Sequence, residues 1–166
     1  MEISTVSIII SVAALLVALV TFFQAKDRSG DAEEIPFSTR PLQLQAYERL
    51  VVLCERISLP NLISRLSQPG FSAQEMQVVL IETIKQEYEY NASQQVYVSN
   101  LAWDAVRNLR DQNMLVINSI AKTLQPEAKA TDLNKKLLEA MMHEENAALH
   151  TVALETLNRE AKKLMK

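Results

Sequence analysis

The sequence predicts an all-α protein in which an N-terminal transmembrane helix precedes a small antiparallel helical bundle. Residues 3–25 contain no charged side chain, apolar residues recur at helical spacing in the remainder, and Gly70 is the only glycine after residue 40. Domains built from strands and tight turns need more glycine than this. We therefore expect a transmembrane helix at 1–25, a juxtamembrane linker at 26–40 and a helical bundle domain at 41–166.

The apolar run at residues 3–25 is long enough to cross a bilayer. As a helix it would measure about 34 Å, against a hydrocarbon core of about 30 Å. A cleaved signal peptide begins with basic residues, whereas this chain begins with Met1 and Glu2. A buried helix of a globular core, the other alternative, seldom lacks charge for so many turns. We interpret the run as a retained single-pass span.

The charges that flank this run predict its orientation. All 17 Lys and Arg residues follow Ala25, and Lys26 and Arg28 lie directly behind the span. Positively charged flanks stay on the cytoplasmic side, which predicts an outside N-terminus and a cytoplasmic C-terminal domain. The single cysteine, Cys54, fits a reducing compartment because it has no partner for an internal disulfide. A periplasmic domain is the alternative.

Small residues form a seam along the predicted span. Seven of the nine Ala, Ser and Thr residues in the run recur at alternating spacings of three and four: Ser4, Ser7, Ser11, Ala14, Ala18, Thr21 and Ala25. Because lipid tails are as apolar as leucine, spanning helices associate where small residues allow close approach. The seam predicts that the span packs in the lipid bilayer against another transmembrane helix, either its own copy or one from a different subunit.

Prolines mark the linker and the first two helices. Residues 26–41, KDRSGDAEEIPFSTRP, combine Gly, Pro and mixed charge, which is typical of a linker. A helix is expected at 41–57, with Pro41 in the first turn, where its missing N–H costs little. Pro60 then interrupts the chain, and a short helix is expected at 61–66.

The rest of the chain predicts three more principal helices. Ser72 and Glu75 form a capping-box pattern that begins the second principal helix. Segment 92–99 is rich in β-branched and aromatic residues, so its helicity stays open. A further helix is expected at 100–124. Thr131 or Asp132 caps the last helix, and whether that helix continues unbroken to the C-terminus stays open. The periodicity predicts these inward-facing positions: Ala46, Leu50, Leu53, Ile57, Met76, Leu80, Ile84, Tyr88, Ala102, Val106, Leu109, Asn113, Val116, Ile120, Leu124, Leu137, Met141, Ala148, Val152 and Leu157.

The sequence contains no pattern of catalytic or metal-binding residues. His143 and His150 lie near Glu139, but a zinc-protease helix needs His-Glu-x-x-His, and Ala147 stands where the second histidine would be. Both histidines are distant in sequence from Cys54, and there is no glycine-rich phosphate loop. We therefore expect a protein that is not an enzyme and has no cofactor.

The charge balance argues against nucleic-acid binding. Only Glu2 of the 20 acidic residues precedes the span, so 17 basic and 19 acidic residues follow it, whereas nucleic-acid binders present a basic face. The C-terminal segment REAKKLMK is basic and amphipathic. It fits two interpretations, which are contact with anionic lipid and simple complementation of the helix dipole.

Aromatic residues concentrate between residues 88 and 103. Tyr88, Tyr90, Tyr97 and Trp103 form a candidate partner surface, because aromatic side chains are enriched at binding sites. The alternative is that they pack two helices of the bundle together. We expect a protein partner for this domain.

Three segments carry a resemblance to a known family. LQAYERL at 44–50, ERISLPNLI at 55–63 and EYEYNASQQVYVSNLAW at 87–103 resemble an uncharacterised bacterial family whose members join one N-terminal span to a helical domain of unknown function. The resemblance implies a single-pass protein of the bacterial inner membrane and no reaction.

Two functions follow as hypotheses. The first is a non-catalytic membrane-tethered interaction protein, an accessory subunit or scaffold of a membrane complex. The second is a helical-bundle enzyme or a ligand- or metal-binding protein. Its site would be assembled from scattered polar residues such as Glu82, Glu87, Asn113 and His143.

Overall fold

The computed structural model describes residues 39–142 and 144–165, with the side chains of 144–147 excepted. These residues form six α-helices and one short 3₁₀ helix. The helices are α1 (Arg40–Ile57), α2 (Leu59–Leu66), α3 (Ala73–Tyr90), α4 (Asn100–Ala121), α5 (Ala130–Met141) and α6 (Glu144–Leu164), with the 3₁₀ helix Ala92–Val96 between α3 and α4. The predicted span, its seam of small residues and nearly all of the linker lie outside the described residues. No helix within the described part is both long enough and apolar enough to cross a membrane.

Two pairs of long helices pack antiparallel, as predicted for a bundle. Helix α6 runs back along α1, since Glu160 meets Tyr47 near the start of α1 and His150 meets Glu55 near its end. Helices α3 and α4 are likewise antiparallel, since Gln77 bonds Asn118 and Tyr88 contacts Trp103. Among the described residues the only β contact is a single bridge between Ser72 and Lys129, which joins the starts of α3 and α5.

The core of the bundle consists mostly of the predicted inward-facing positions. Leu50, Leu53, Met76, Leu80 and Ile84 are fully buried. Ala46, Ile57, Ala102, Val106, Leu109, Leu137 and Leu157 join them in the interior. These side chains recur every three or four residues, so each helix turns one apolar stripe toward the others. The apolar stripes therefore predict the buried faces of α1, α3 and α4 correctly.

The predicted helix starts are confirmed where capping chemistry is explicit. The Ser72 N–H donates to Glu75 Oε2 at 2.8 Å, and the Glu75 N–H donates to Ser72 Oγ at 3.2 Å. This is the reciprocal capping box that the sequence indicated. Helix α2 begins at Leu59 rather than residue 61, because Pro60 fits the first turn of a helix, where no N–H donor is needed.

At the end of the bundle two predicted helix boundaries are wrong, and the structure answers whether the last helix is continuous, which the sequence left open. The last helix is divided in two, because α5 ends at Met141 and α6 begins at Glu144. Helix α5 starts after Lys129, whose N–H donates to Asp132 Oδ2 at 2.9 Å, so Asp132 caps from inside the first turn. Helix α4 ends at Ala121 rather than residue 124.

The break between α5 and α6 also changes which side chains of α6 face inward. Val152 is half exposed and Ala148 is exposed, whereas Ala153 and Thr156 are buried beside Leu157. An interruption resets the angular phase of the helix, so a stripe extrapolated across it points in the wrong direction. Segment 92–99, which the sequence left open, contains the 3₁₀ helix.

Candidate functional site

The four aromatic residues of the predicted partner surface have two different environments. Tyr88 and Trp103 are half-buried and pack against the core, with ring centroids 5.1 Å apart. The guanidinium of Arg110 lies 4.1 Å from the Tyr88 ring centroid. A tilted aromatic pair with a cation on one face stabilises the contact between α3 and α4. These two residues therefore pack the bundle together, as the alternative interpretation proposed.

Tyr90 and Tyr97 instead face solvent. Tyr90 is 74 % exposed and Tyr97 is 39 % exposed. Tyr90 closes one end of a groove between α1 and α3, which we call the α1–α3 groove. The groove has a volume of about 700 Å³ and is lined by Gln45, Glu48, Arg49, Val52, Leu53, Arg56, Gln86, Glu87, Tyr90 and Asn91. The structure thus places one of the four predicted residues in a groove.

Arg49 is one of two arginines in this groove, which also contains Glu48 and Glu87. Its guanidinium lies over the Tyr90 ring at 5.5 Å from the centroid. Among the described residues, Arg49 forms no ion pair with a carboxylate. Val52, one turn further along α1, is 56 % exposed. A cation stacked on a tyrosine beside an exposed aliphatic side chain can hold a carboxylate and an apolar group at once.

An ion-pair network fixes the other end of the groove. Arg56 Nε donates to Glu87 Oε1 at 2.7 Å, and Arg65 Nη1 lies 3.8 Å from the same oxygen. The carboxylate of Glu87 raises the pKa of Arg56 through this hydrogen bond and through charge attraction. Arg65 Nη2 also donates at 2.7 Å to the backbone oxygen of Arg56, one of the carbonyls that a helix end leaves unpaired. The network therefore pairs Arg56 with a carboxylate and leaves Arg49 as the arginine of the groove without an ion pair among the described residues.

A polar junction lies between α1, α4 and α6. The Tyr47 hydroxyl donates to Glu160 Oε2 at 2.8 Å, and the Ser99 hydroxyl donates to the same oxygen. Ser99 also begins α4, since its Oγ accepts from the Ala102 N–H at 3.1 Å. Burial and then the hydrogen bond to Glu160 raise the pKa of Tyr47. Because Tyr47 is almost fully buried, we assign this polar junction a structural role.

A second cavity lies between α2 and α5. It has a volume of about 760 Å³ and is lined by Pro60, Ile63, Ser67, Thr131, Asn134, Lys135, Leu138, Glu139, Met141 and Met142. The Asn134 side chain is buried, its amide donates to Ser67 Oγ at 3.3 Å, and its Oδ1 has no hydrogen-bond partner. An unpaired buried carboxamide oxygen is costly. A ligand that donated a hydrogen bond to it would therefore be stabilised at this cavity.

The scattered polar residues that the sequence suggested for an assembled site each have a different partner in the structure. Glu82 pairs with Lys85 at 2.6 Å, and Asn113 donates to the Ile57 carbonyl at 2.8 Å, which caps the end of α1. His150 lies 3.8 Å from Glu55, and His143 is outside the described residues. Within the described residues, no three metal-binding side chains come close together. Burial raises the pKa of Cys54 to about 12, which makes the thiol unreactive.

Sequence reasoning missed Arg49, Val52 and Arg56 as groove residues. Arg49 and Val52 are three residues apart on α1, so they share a face, and both lie outside the apolar stripe. That local signal was available. Their proximity to Tyr90 and Glu87 was not, because it depends on how α1 and α3 pack.

Comparison with other proteins identifies the family of the chain. No curated protein and no solved structure is significantly similar to it. The model of one family matches residues 1–164, almost the full length. The chain therefore belongs to a family of unknown function, DUF7935.

Proposed function

We propose that this protein is a non-catalytic, membrane-tethered interaction protein, an accessory subunit or scaffold of a membrane complex. In this proposal residues 3–25 are the tether in the bacterial inner membrane, and the bundle lies on the cytoplasmic side. The bundle binds a protein partner through the α1–α3 groove. The positioning of Arg49 over Tyr90, beside exposed Val52, is the observation that supports this proposal most.

The chemistry of the groove indicates what the partner contributes. Arg and Tyr are the residues most enriched where binding energy is concentrated. Arg49 requires a carboxylate from the partner, and Val52 requires an apolar side chain close to it. We therefore expect the partner to present an acidic segment that also carries an apolar residue, as one face of a helix or as an extended peptide.

Charge reversal in the groove tests this proposal. The full-length Arg49→Glu variant is expressed in the native cell, and the proteins that co-purify with it from mild detergent are quantified. Repulsion of an acidic partner should lower the recovered partner roughly tenfold or more, since central interface residues contribute about 2 kcal/mol or more. Arg107→Glu is the control, because Arg107 is exposed on α4 and pairs with Asp104 at 2.8 Å. Equal recovery with both variants would contradict docking through the groove.

The seam of small residues gives the tether a second role in this proposal. Ala14 and Ala18 would face a neighbouring transmembrane helix, either the span of a second copy or that of another subunit. Replacing both with leucine should separate the helices and weaken their association by about 1–2 kcal/mol. Leu15→Ile with Leu19→Ile is the matched control on another face. A self-association assay of the span in membranes distinguishes its own copy from another subunit. If the Ala14→Leu, Ala18→Leu variant associates as strongly as the wild type, the span is an anchor alone.

The cavity between α2 and α5 favours a second candidate function, a bundle that binds a small ligand. Its specific support is the partnerless Oδ1 of Asn134. Native mass spectrometry and elemental analysis of the purified full-length chain test it. A stoichiometric organic molecule that is lost in Asn134→Leu would favour this function. A stoichiometric metal would favour the enzyme or metal-binding alternative over the scaffold.

A further inference from the structure

One end of the bundle receives the chain from its N-terminal segment. Helix α1 begins there at Arg40, and the polar junction brings the start of α4 and the last turns of α6 to the same end, since Ser99 and Glu160 both contact Tyr47. The 3₁₀ helix leads directly into α4. We call the exposed side chains at this end the N-proximal surface.

The N-proximal surface combines apolar and basic side chains. Val96 is 76 % exposed, Met165 64 % and Leu101 57 %, and Tyr97 is also exposed. The last two turns of α6 add three exposed cations, Arg159, Lys162 and Lys163. Two acidic residues lie close by in sequence, Glu89 and Asp104, and Asp104 is paired with Arg107 at 2.8 Å. Two acids of α6 lie near these cations: Glu160 is engaged in the polar junction, and exposed Glu155 lines a shallow cavity together with Arg159, Lys162 and Lys163.

We propose that the N-proximal surface lies against the headgroups of an anionic bilayer. Aliphatic and tyrosine side chains enter the interfacial region of a membrane, and adjacent lysines and arginines bind anionic lipid. The chain enters the bundle at this end from the uncharged run that stops at Ala25, which is the tether in the proposed function. The inference rests on the membrane tether of the proposed function.

The tether alone does not determine this orientation. The linker residues 26–39 can extend to at most about 50 Å, which is enough for the domain to turn any face toward the lipid. A defined orientation therefore requires attraction between one surface and the bilayer. The apolar and basic side chains of the N-proximal surface supply it.

Site-specific fluorescence on the full-length chain in vesicles tests the orientation. The variants Val96→Cys and Gln125→Cys place one reactive thiol at the N-proximal end and at the far end respectively, and both positions are exposed. Buried Cys54 stays unlabelled in each. An environment-sensitive fluorophore is attached, and the vesicles contain anionic lipid with headgroup-linked quencher. Resistance to alkaline extraction is measured on the same samples and reports the tether separately.

The expected result is strong quenching and a blue shift at residue 96 with neither at residue 125. Replacing Lys162 and Lys163 with Gln should lower the ratio of bilayer-bound to free orientations roughly 25-fold, since each basic residue near an anionic surface contributes about a fivefold factor. Equal quenching at both positions in extraction-resistant vesicles would overturn the orientation and leave the tether intact. Extraction of the protein would overturn the tether itself. A solvent-exposed probe at residue 96 that becomes covered only when a protein partner is added would also overturn the proposal.

Discussion

Two aromatic residues only two positions apart on α3, Tyr88 and Tyr90, belong to different parts of the molecule. Tyr88 packs against Trp103 and the core, where it joins α3 to α4. Tyr90 faces solvent at the end of the α1–α3 groove and contacts only the guanidinium of Arg49 among the ring and cation contacts of the described residues. The difference shows that the aromatic cluster in the sequence contains residues of two kinds, some that pack the core and some that belong to a candidate binding site. The rotation of 200° between positions i and i+2 of a helix separates them.

The largest expected effect comes from placing a charge at a buried position of α1, compared with the same charge at an exposed position of that helix. Leu50 is fully buried and Val52 is 56 % exposed. Leu50→Asp would leave an unpaired carboxylate in the core and should lower the free energy of unfolding by more than about 4 kcal/mol, which unfolds a domain of ordinary stability. Val52→Asp should change it by less than about 0.5 kcal/mol. Circular dichroism during urea unfolding measures both, and equal stability of the two variants would show that the assignment of the core is wrong.

Thiol reactivity compares the same two environments without disturbing the core. Burial raises the pKa of Cys54 to about 12, so at pH 8 its thiolate is scarce and shielded. The added thiol of Val52→Cys should react with an alkylating reagent about a thousandfold faster than Cys54 does in the wild-type chain. Because the folded-state pKa is raised, the contribution of Cys54 to stability is fully present below about pH 9 and is lost as the pH rises toward 12. Rapid alkylation of native Cys54 would contradict its placement.

Loss of Trp103 should affect stability, whereas loss of Tyr90 should affect binding. Trp103→Ala removes a half-buried ring and should lower the free energy of unfolding by about 2 kcal/mol. Tyr90→Ala should leave stability within about 0.5 kcal/mol of wild type and reduce the partner recovered with the purified protein. Urea unfolding and quantitative co-purification are measured on both full-length variants. A Tyr90→Ala variant that is as destabilised as Trp103→Ala would place Tyr90 with the packing residues.

A smaller effect is expected at the polar junction. Glu160→Gln removes the charge that accepts hydrogen bonds from Tyr47 and Ser99, so it should destabilise the bundle by about 1–2 kcal/mol. Glu155→Gln, an exposed position on the same helix, should change stability by less than about 0.5 kcal/mol. Indistinguishable urea midpoints for the two variants would remove the structural role assigned to the polar junction.

The sequence predicts the interior of this molecule better than its candidate site. The stripe of α1 and the capping box at Ser72 depend on spacing within one helix, and both are confirmed. The continuity of the last helix stayed open from the sequence, because no glycine or proline marks the break after Met141. The groove depends on contacts between residues about 40 apart, such as Arg49 and Tyr90. Periodicity within one helix carries no information about such contacts.

Site-specific photocrosslinking most directly tests the claim that the α1–α3 groove binds a protein. Val52 and Val78 are almost equally exposed, at 56 % and 55 %, and only Val52 lines the groove. A photoreactive amino acid is placed at each position in the full-length chain, which is then irradiated in native membranes. The account predicts a discrete crosslinked protein from position 52, absent from position 78 and lost when Arg49→Glu is added. The same product from both positions, or none from position 52 in a correctly folded chain, would contradict it.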